Sequence, residues 1–147
     1  MMEGTSANLR NGEALLVIDL LYGLMLPSGN DAGVAISQYF GKYLSFCYSN
    51  GSSYKDKDEL EAERFEKFES LKDFYSSEYR EDSIRLFVFE MNRNCQKIGL
   101  KNTSFNNPTG LTDIKNYSTA SDMVKLISFC MKNHLLRSIF KKKNYTC

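Results

Sequence analysis

Histidine is nearly absent from this chain of 147 residues, and its four cysteines are too far apart to form a C-x-x-C pair. A zinc site would have to combine His134 with scattered thiols, so the sequence predicts no metal and no cofactor. The cysteines, Cys47, Cys95, Cys130 and Cys147, are typical of core or surface thiols and not of a disulfide framework.

Long apolar runs are also missing. The longest, Leu20–Leu26, is interrupted by Tyr22 and Gly23 and is far shorter than a bilayer crossing requires. The first twelve residues are polar where a secretory signal needs an apolar segment. We therefore expect no transmembrane segment, and either an intracellular protein or a chain whose true N-terminus lies upstream.

Neither sign of charge dominates, since 19 basic residues face 18 acidic ones for a net charge of +1. A generic binder of nucleic acid or of anionic membranes would have a larger basic excess, so no nucleic-acid partner is expected. Apolar residues make up 42% and charged residues 25%, which is ordinary for a soluble globular domain.

Helical periodicity dominates the pattern of apolar residues. The spacing predicts helices over 32–47, 84–98 and 119–131, and a shorter one that begins with Asp19 as its N-cap. Glu13–Ile18 is interpreted as a short buried strand or an apolar lead-in. Gly99 is predicted to end one helix, and Ser118 or Thr119 to cap another, where Thr119 and Asp122 resemble a capping box. The fold class is therefore mainly α.

A charged segment at about 49–80 separates the first two long helices. Its narrow stripe of Phe and Leu every three residues favours a solvated helix in a surface insertion. A docking surface for a partner helix is the alternative interpretation.

A tight turn, Pro27–Asn30, is predicted between the first two helices. Ser28 would therefore present a small hydroxyl next to a helix N-terminus, where backbone N–H groups point outward. Asn30 or Asp31 can cap the second helix, and Asp31 is interpreted as such a cap in preference to a catalytic acid.

Five blocks of sequence around this turn occur in the order found in a known family. They are 4–13 (GTSANLRNGE), 19–32 (DLLYGLMLPSGNDA), 87–92 (FVFEMN), 98–111 (IGLKNTSFNNPTGL) and 117–123 (YSTASDM). Together they resemble the D-alanyl-D-alanine carboxypeptidases, the low-molecular-mass penicillin-binding proteins. One departure is Thr109, where the family often has histidine.

The resemblance implies the helical lobe of the penicillin-binding protein, or β-lactamase-like, transpeptidase fold, with most of the α+β sheet lobe missing. Residues 1–147 would then be a partial catalytic domain that carries the insertion at 49–80. The family is expected outside the cytoplasm. Its partners are D-Ala-D-Ala peptides and β-lactams, and it releases terminal D-alanine through an acyl-enzyme.

The family uses three motifs, S-x-x-K, S-x-N and K-T-G. The resemblance makes Ser28 the proton-relay serine and Asn30 the orienting amide. K-T-G is absent from this sequence, and the two S-x-x-K matches, Ser52–Lys55 and Ser138–Lys141, follow S-x-N instead of preceding it. We interpret both matches as coincidence, so the nucleophile and its lysine are not expected in this chain.

Three hypotheses follow from this partial motif set. The chain is part of a carboxypeptidase and inactive alone, or a non-catalytic helical binding module derived from the family, or part of a β-lactamase-like hydrolase. If only the helical lobe is present, some of the Leu15–Ile18 or Met123–Met131 surface should be uncovered.

Overall fold

Five helices make up the part of the chain that the computed structural model describes, residues 4–49 and 79–146. They are α1 (Val17–Met25), α2 (Asn30–Ser49), α3 (Tyr79–Ile98), α4 (Ala120–Cys130) and α5 (His134–Lys141). Within these ranges the only β-type pairing is one antiparallel bridge between Ser104 and Tyr117. The mainly α prediction is confirmed. Of the insertion at 49–80, residues 50–78 lie outside the described part.

The start of α1 differs from the prediction. Leu16 is the N-cap, and Asp19 lies in the first turn, where its carboxylate accepts the Leu16 backbone N–H at 3.2 Å. Of the two interpretations of Glu13–Ile18, the buried strand is wrong and the apolar lead-in is correct, since no strand forms there, Leu16 is 69% exposed and α1 begins at Val17. A short apolar run does not distinguish a buried strand from the start of a helix, because both contain one.

Helices α2 and α3 cross with their backbones in close contact. A Cβ added at Gly41 would lie 1.9 Å from the carbonyl oxygen of Ser83. Ser37 and Ser83 are also buried, so small residues form this crossing. The remaining buried apolar residues that surround it and extend to α1 and α5 are Tyr22, Ala32, Ile36, Val88, Cys95, Leu100 and Ile139.

The loop between α3 and α4 is held by polar side chains at both ends. Gly99, at φ +82°, ends α3 as predicted, and the Leu100 N–H bonds back to the Cys95 carbonyl at 2.9 Å. Thr119 caps α4 as predicted, and its hydroxyl accepts the Asp122 N–H at 3.2 Å. Asp122, however, does not complete a capping box. Its buried carboxylate accepts the Asn102 N–H at 2.7 Å and so fastens the loop to α4.

The residues after α5 return to α1. The ring of Tyr145 stacks on that of Tyr22 with centroids 3.8 Å apart, and its hydroxyl donates to the Asp19 carboxylate at 2.5 Å. The sequence contains no helical or strand pattern here that predicts this contact.

Apolar side chains remain uncovered on two surfaces, as expected. Leu16 and Val17 are exposed at the start of α1, and Val124, Ile127 and Phe129 are each more than half exposed on α4. A helix that buries so little of its apolar surface is typical of a domain that packs against something further. In the two described ranges, no helix has both the length and the apolarity needed to cross a membrane.

Candidate active site

Ser28 occupies the turn between α1 and α2 with a backbone that few residues other than glycine adopt. Its φ is +56°, in the left-handed region, and the residue is exposed. For an L-residue this conformation costs about 1–2 kcal/mol, and such strain concentrates at functional sites. The predicted position of Ser28 in a tight turn beside a helix N-terminus is therefore confirmed, and its strain sets it apart from an ordinary turn residue.

The turn is fixed from the N-terminal side by Thr5. The Thr5 hydroxyl donates to the Ser28 carbonyl at 2.5 Å, and the Thr5 carbonyl accepts the Asn30 N–H at 2.9 Å. The Gly29 N–H bonds to the Gly23 carbonyl on the other side, at 3.1 Å. Both residues of the S-x-N motif are thus bound to one threonine that lies 23 residues before Ser28.

Only glycine fits between Ser28 and Asn30. A Cβ at Gly29 would lie 2.6 Å from the Gly23 carbonyl oxygen and 2.8 Å from the Ala7 nitrogen, both backbone atoms. Side-chain carbons do not approach backbone atoms so closely, so Gly29 allows the segment that contains Ala7 to pack directly on the turn. Sequence reasoning missed this requirement, because it depends on a segment distant in sequence.

Asn30 is the first residue of α2 and only 6% exposed. Its side-chain amide packs under Gly4, since a Cβ at that glycine would lie 2.5 Å from the Asn30 Nδ2. Gly4 has φ +82°, a second reason for glycine at this position. The Asn30 amide is therefore buried in close contact with the backbone of Gly4.

Asp31 does not act as the predicted N-cap. It is the second residue of α2, and its carboxylate accepts bonds from Ser6 Oγ, at 2.6 Å, and from the Ala7 N–H, at 2.7 Å. Burial raises the pKa of Asp31, but these bonds, with those from the Leu9 and Ala32 N–H groups, outweigh burial and lower the pKa to about 2. Asp31 is thus ionised at neutral pH and acts on the N-terminal segment.

The remaining candidate residues lie elsewhere. Ser138 is on α5, and its hydroxyl donates to the Leu135 carbonyl of its own helix at 2.7 Å. His134 is the exposed first residue of α5. The other S-x-x-K match, Ser52–Lys55, lies outside the described residues. In the described ranges, no group of three His, Cys, Asp or Glu side chains could hold a metal ion.

A groove of about 650 Å³ lies between the segment 9–17 and the first half of α2. Its walls are mostly apolar and include Leu9, Leu20, Val34 and Phe40, while Asp31 lies at one end. Ser28 itself is exposed, and a hydroxyl can both donate and accept a hydrogen bond.

Comparisons with known proteins agree on one family. The family model described as D-alanyl-D-alanine carboxypeptidase matches residues 77–147. The D-alanyl-D-alanine carboxypeptidase of Streptomyces sp. strain K15 is 30% identical over 142 residues, covering 97% of this chain and 37% of that enzyme. The Bacillus subtilis D-alanyl-D-alanine carboxypeptidase DacF is 30% identical over 131 residues, or 89% of this chain and 23% of that enzyme.

The fold agrees as well. The crystal structure of the Streptomyces K15 DD-transpeptidase matches with a TM-score of 0.69 and 30% identity, over 98% of this chain and 42% of that one. The chain therefore has the helical part of this transpeptidase fold and spans well under half the length of the relatives it matches. The family model does not reach Ser28, whereas the Streptomyces matches span nearly the whole chain.

Proposed function

We propose that this chain, which belongs to the D-alanyl-D-alanine carboxypeptidase family, carries the S-x-N motif of a serine-type D-Ala-D-Ala carboxypeptidase. In this proposal Ser28 is the proton relay and Asn30 the orienting amide. The main support is that Ser28 is exposed on a left-handed backbone, two residues before the buried Asn30, and that one threonine binds both. Backbone strain of this kind concentrates at functional sites.

The chemistry fits these two side chains. In the proposed reaction, a serine hydroxyl attacks the carbonyl carbon of the penultimate D-alanine, and the peptide bond to the terminal D-alanine breaks. The departing nitrogen must gain a proton, and water later hydrolyses the ester. A hydroxyl such as that of Ser28 both donates and accepts without changing charge, so it can pass the proton onward. The Asn30 amide can hold a cation and a carbonyl together.

The nucleophile and its lysine are expected outside this sequence, because neither S-x-x-K match precedes S-x-N and K-T-G is absent. The 147-residue chain alone should therefore release no D-alanine. The substrate class is a peptide that ends in D-Ala-D-Ala, with β-lactams as acylating analogues. We infer a location outside the cytoplasm, where such peptides are exposed.

The test begins with the complete transcript, sequenced through both ends of this reading frame. An upstream S-x-x-K and a downstream K-T-G would support the proposal. D-alanine release by that complete product should then fall on Ser28→Ala and remain on Ser138→Ala. Stop codons on both sides, or full activity of the Ser28→Ala variant, would overturn it.

A non-catalytic binding module is the second candidate, and the exposed apolar side chains of α4 favour it. The complete transcript distinguishes the two candidates, since a binding module needs no flanking motifs. A β-lactamase-like hydrolase would differ from a carboxypeptidase in the lifetime of its penicilloyl-enzyme, which would be short.

A further inference from the structure

The Asp31 carboxylate is bound almost entirely by one distant segment. Its Oδ2 accepts Ser6 Oγ at 2.6 Å and the Leu9 N–H at 3.0 Å, and its Oδ1 accepts the Ala7 N–H at 2.7 Å. The fourth donor, at 3.0 Å, is the N–H of its own neighbour Ala32. Three of the four donors therefore belong to a segment that precedes Asp31 by 22 to 25 residues.

That same segment holds the S-x-N turn. Thr5 bonds to both Ser28 and Asn30 through its hydroxyl and carbonyl. Ala7 packs directly on Gly29, with no room for a side chain between them. The segment 4–9 thus contacts all three residues of the motif. Asp31, the residue after the motif, binds the same segment.

We propose that Asp31 is a positioning residue, whose carboxylate fastens the segment 4–9 over the turn and so maintains the Ser28 backbone and the Asn30 amide in their working geometry. This inference rests on the proposed function only in treating Ser28 and Asn30 as catalytic groups. Whether Asp31 holds the segment 4–9 in place can be measured without any activity.

The geometry requires a carboxylate at this position. Four donors share two oxygens, and each oxygen receives two of them. In Asp31→Asn, one oxygen becomes an NH2 group of almost unchanged size that cannot accept a hydrogen bond. On the Oδ1 side the bonds from the Ala7 and Ala32 N–H groups would be lost, and on the Oδ2 side the bond from the Leu9 N–H. Hydrogen bonds to a charged acceptor are among the stronger ones, so their loss should release the segment.

Amide hydrogen exchange of the intact 147-residue chain, measured by NMR, tests this role. The Asn30 N–H, which donates to the Thr5 carbonyl, reports on the fastening. The Leu100 N–H, which donates to the Cys95 carbonyl, reports on local opening at the end of α3, away from the segment 4–9. In Asp31→Asn, exchange at Asn30 should rise roughly tenfold or more, with Leu100 nearly unchanged.

Asp113→Asn is the matched control, because the Asp113 carboxylate accepts the Lys115 N–H and the Asn106 amide, both at 2.7 Å, within its own loop. It should leave Asn30 exchange unchanged. Ser6→Ala, which removes one donor and no charge, should shift Asn30 in the same direction by a smaller factor, and it serves if Asp31→Asn fails to fold. Equal increases at Asn30 and Leu100, or no increase at Asn30 in either variant, would overturn the proposal.

Activity of the complete product separates this inference from the proposed function. Asp31→Asn should lower kcat by roughly ten- to a hundredfold with little change in KM, as expected for a misplaced catalytic group. An inactive Asp31→Asn alongside a fully active Ser28→Ala would contradict the proposed function and leave the exchange result intact. Faster exchange at Asn30 with unchanged kcat would contradict the positioning role alone.

Discussion

Alanine at Gly41 should destabilise the chain strongly, while alanine at Gly33 in the same helix should not. A Cβ at Gly41 would lie 1.9 Å from the Ser83 carbonyl oxygen and 2.6 Å from its carbonyl carbon. At Gly33 the nearest atom is Leu24 Cδ1, the end of a flexible side chain, at 3.3 Å. The two substitutions are chemically identical, so their difference isolates the contact between α2 and α3.

The magnitude follows from two opposing effects. Replacing glycine by alanine inside a helix gains about 1 kcal/mol at either position. Overpacking against a backbone atom costs about 1–3 kcal/mol, and Gly41 belongs at the upper end because the backbone of α3 must move. Gly33→Ala should therefore be neutral or slightly stabilising, and Gly41→Ala should be less stable than Gly33→Ala by about 2–3 kcal/mol. At about 2–4 °C per kcal/mol, its Tm should be lower by about 5–10 °C.

Urea titration followed by circular dichroism at 222 nm measures this difference, since the chain has no tryptophan for a fluorescence signal. Similar slopes against urea for the two variants would show that the unfolded states are comparable. Equal midpoints for Gly41→Ala and Gly33→Ala would refute the close crossing of α2 and α3.

Three further predictions concern single side chains. The pKa of Asp31 falls from 3.8 to about 2 on folding. The ionised carboxylate should therefore contribute about 1–2 kcal/mol to the free energy of unfolding above pH 4, and this contribution should be lost toward pH 2. Urea titrations across this pH range should show the loss in the parent and not in Asp31→Asn. An apolar dye should bind the folded chain, and Ile127→Lys should weaken that binding; an unchanged signal would place the dye elsewhere. Tyr145→Phe should cost about 0.5–1.5 kcal/mol through its bond to Asp19, and Tyr145→Ala a similar amount more through its stacking on Tyr22.

Local patterns predicted the helices well. The apolar spacing over 32–47 and 84–98 identified α2 and α3, because each helix buries one face. The cap at Thr119 and the terminator at Gly99 were correct, since both motifs depend on neighbours within a few residues. At Glu13–Ile18 the sequence left a buried strand and an apolar lead-in open, because a short apolar run occurs in both.

The candidate site was predicted only in part. The turn at Ser28 and its position before α2 follow from turn-forming residues and flanking helices. The roles of Gly29 and Asp31 do not, because both depend on the segment 4–9, which has no periodic pattern and contacts the turn across more than twenty residues. The catalytic roles proposed for Ser28 and Asn30 follow from the family resemblance and not from local patterns in the sequence.

The rate at which penicillin acylates the complete gene product, measured for the parent and for Ser28→Ala, tests the assignment of the S-x-N motif most directly. We expect Ser28→Ala to slow acylation by about a hundredfold or more, and Ser138→Ala to be acylated at the parent rate. Acylation that is unaffected by Ser28→Ala but abolished by Ser138→Ala would contradict it, because the nucleophile would then lie on α5 of this chain.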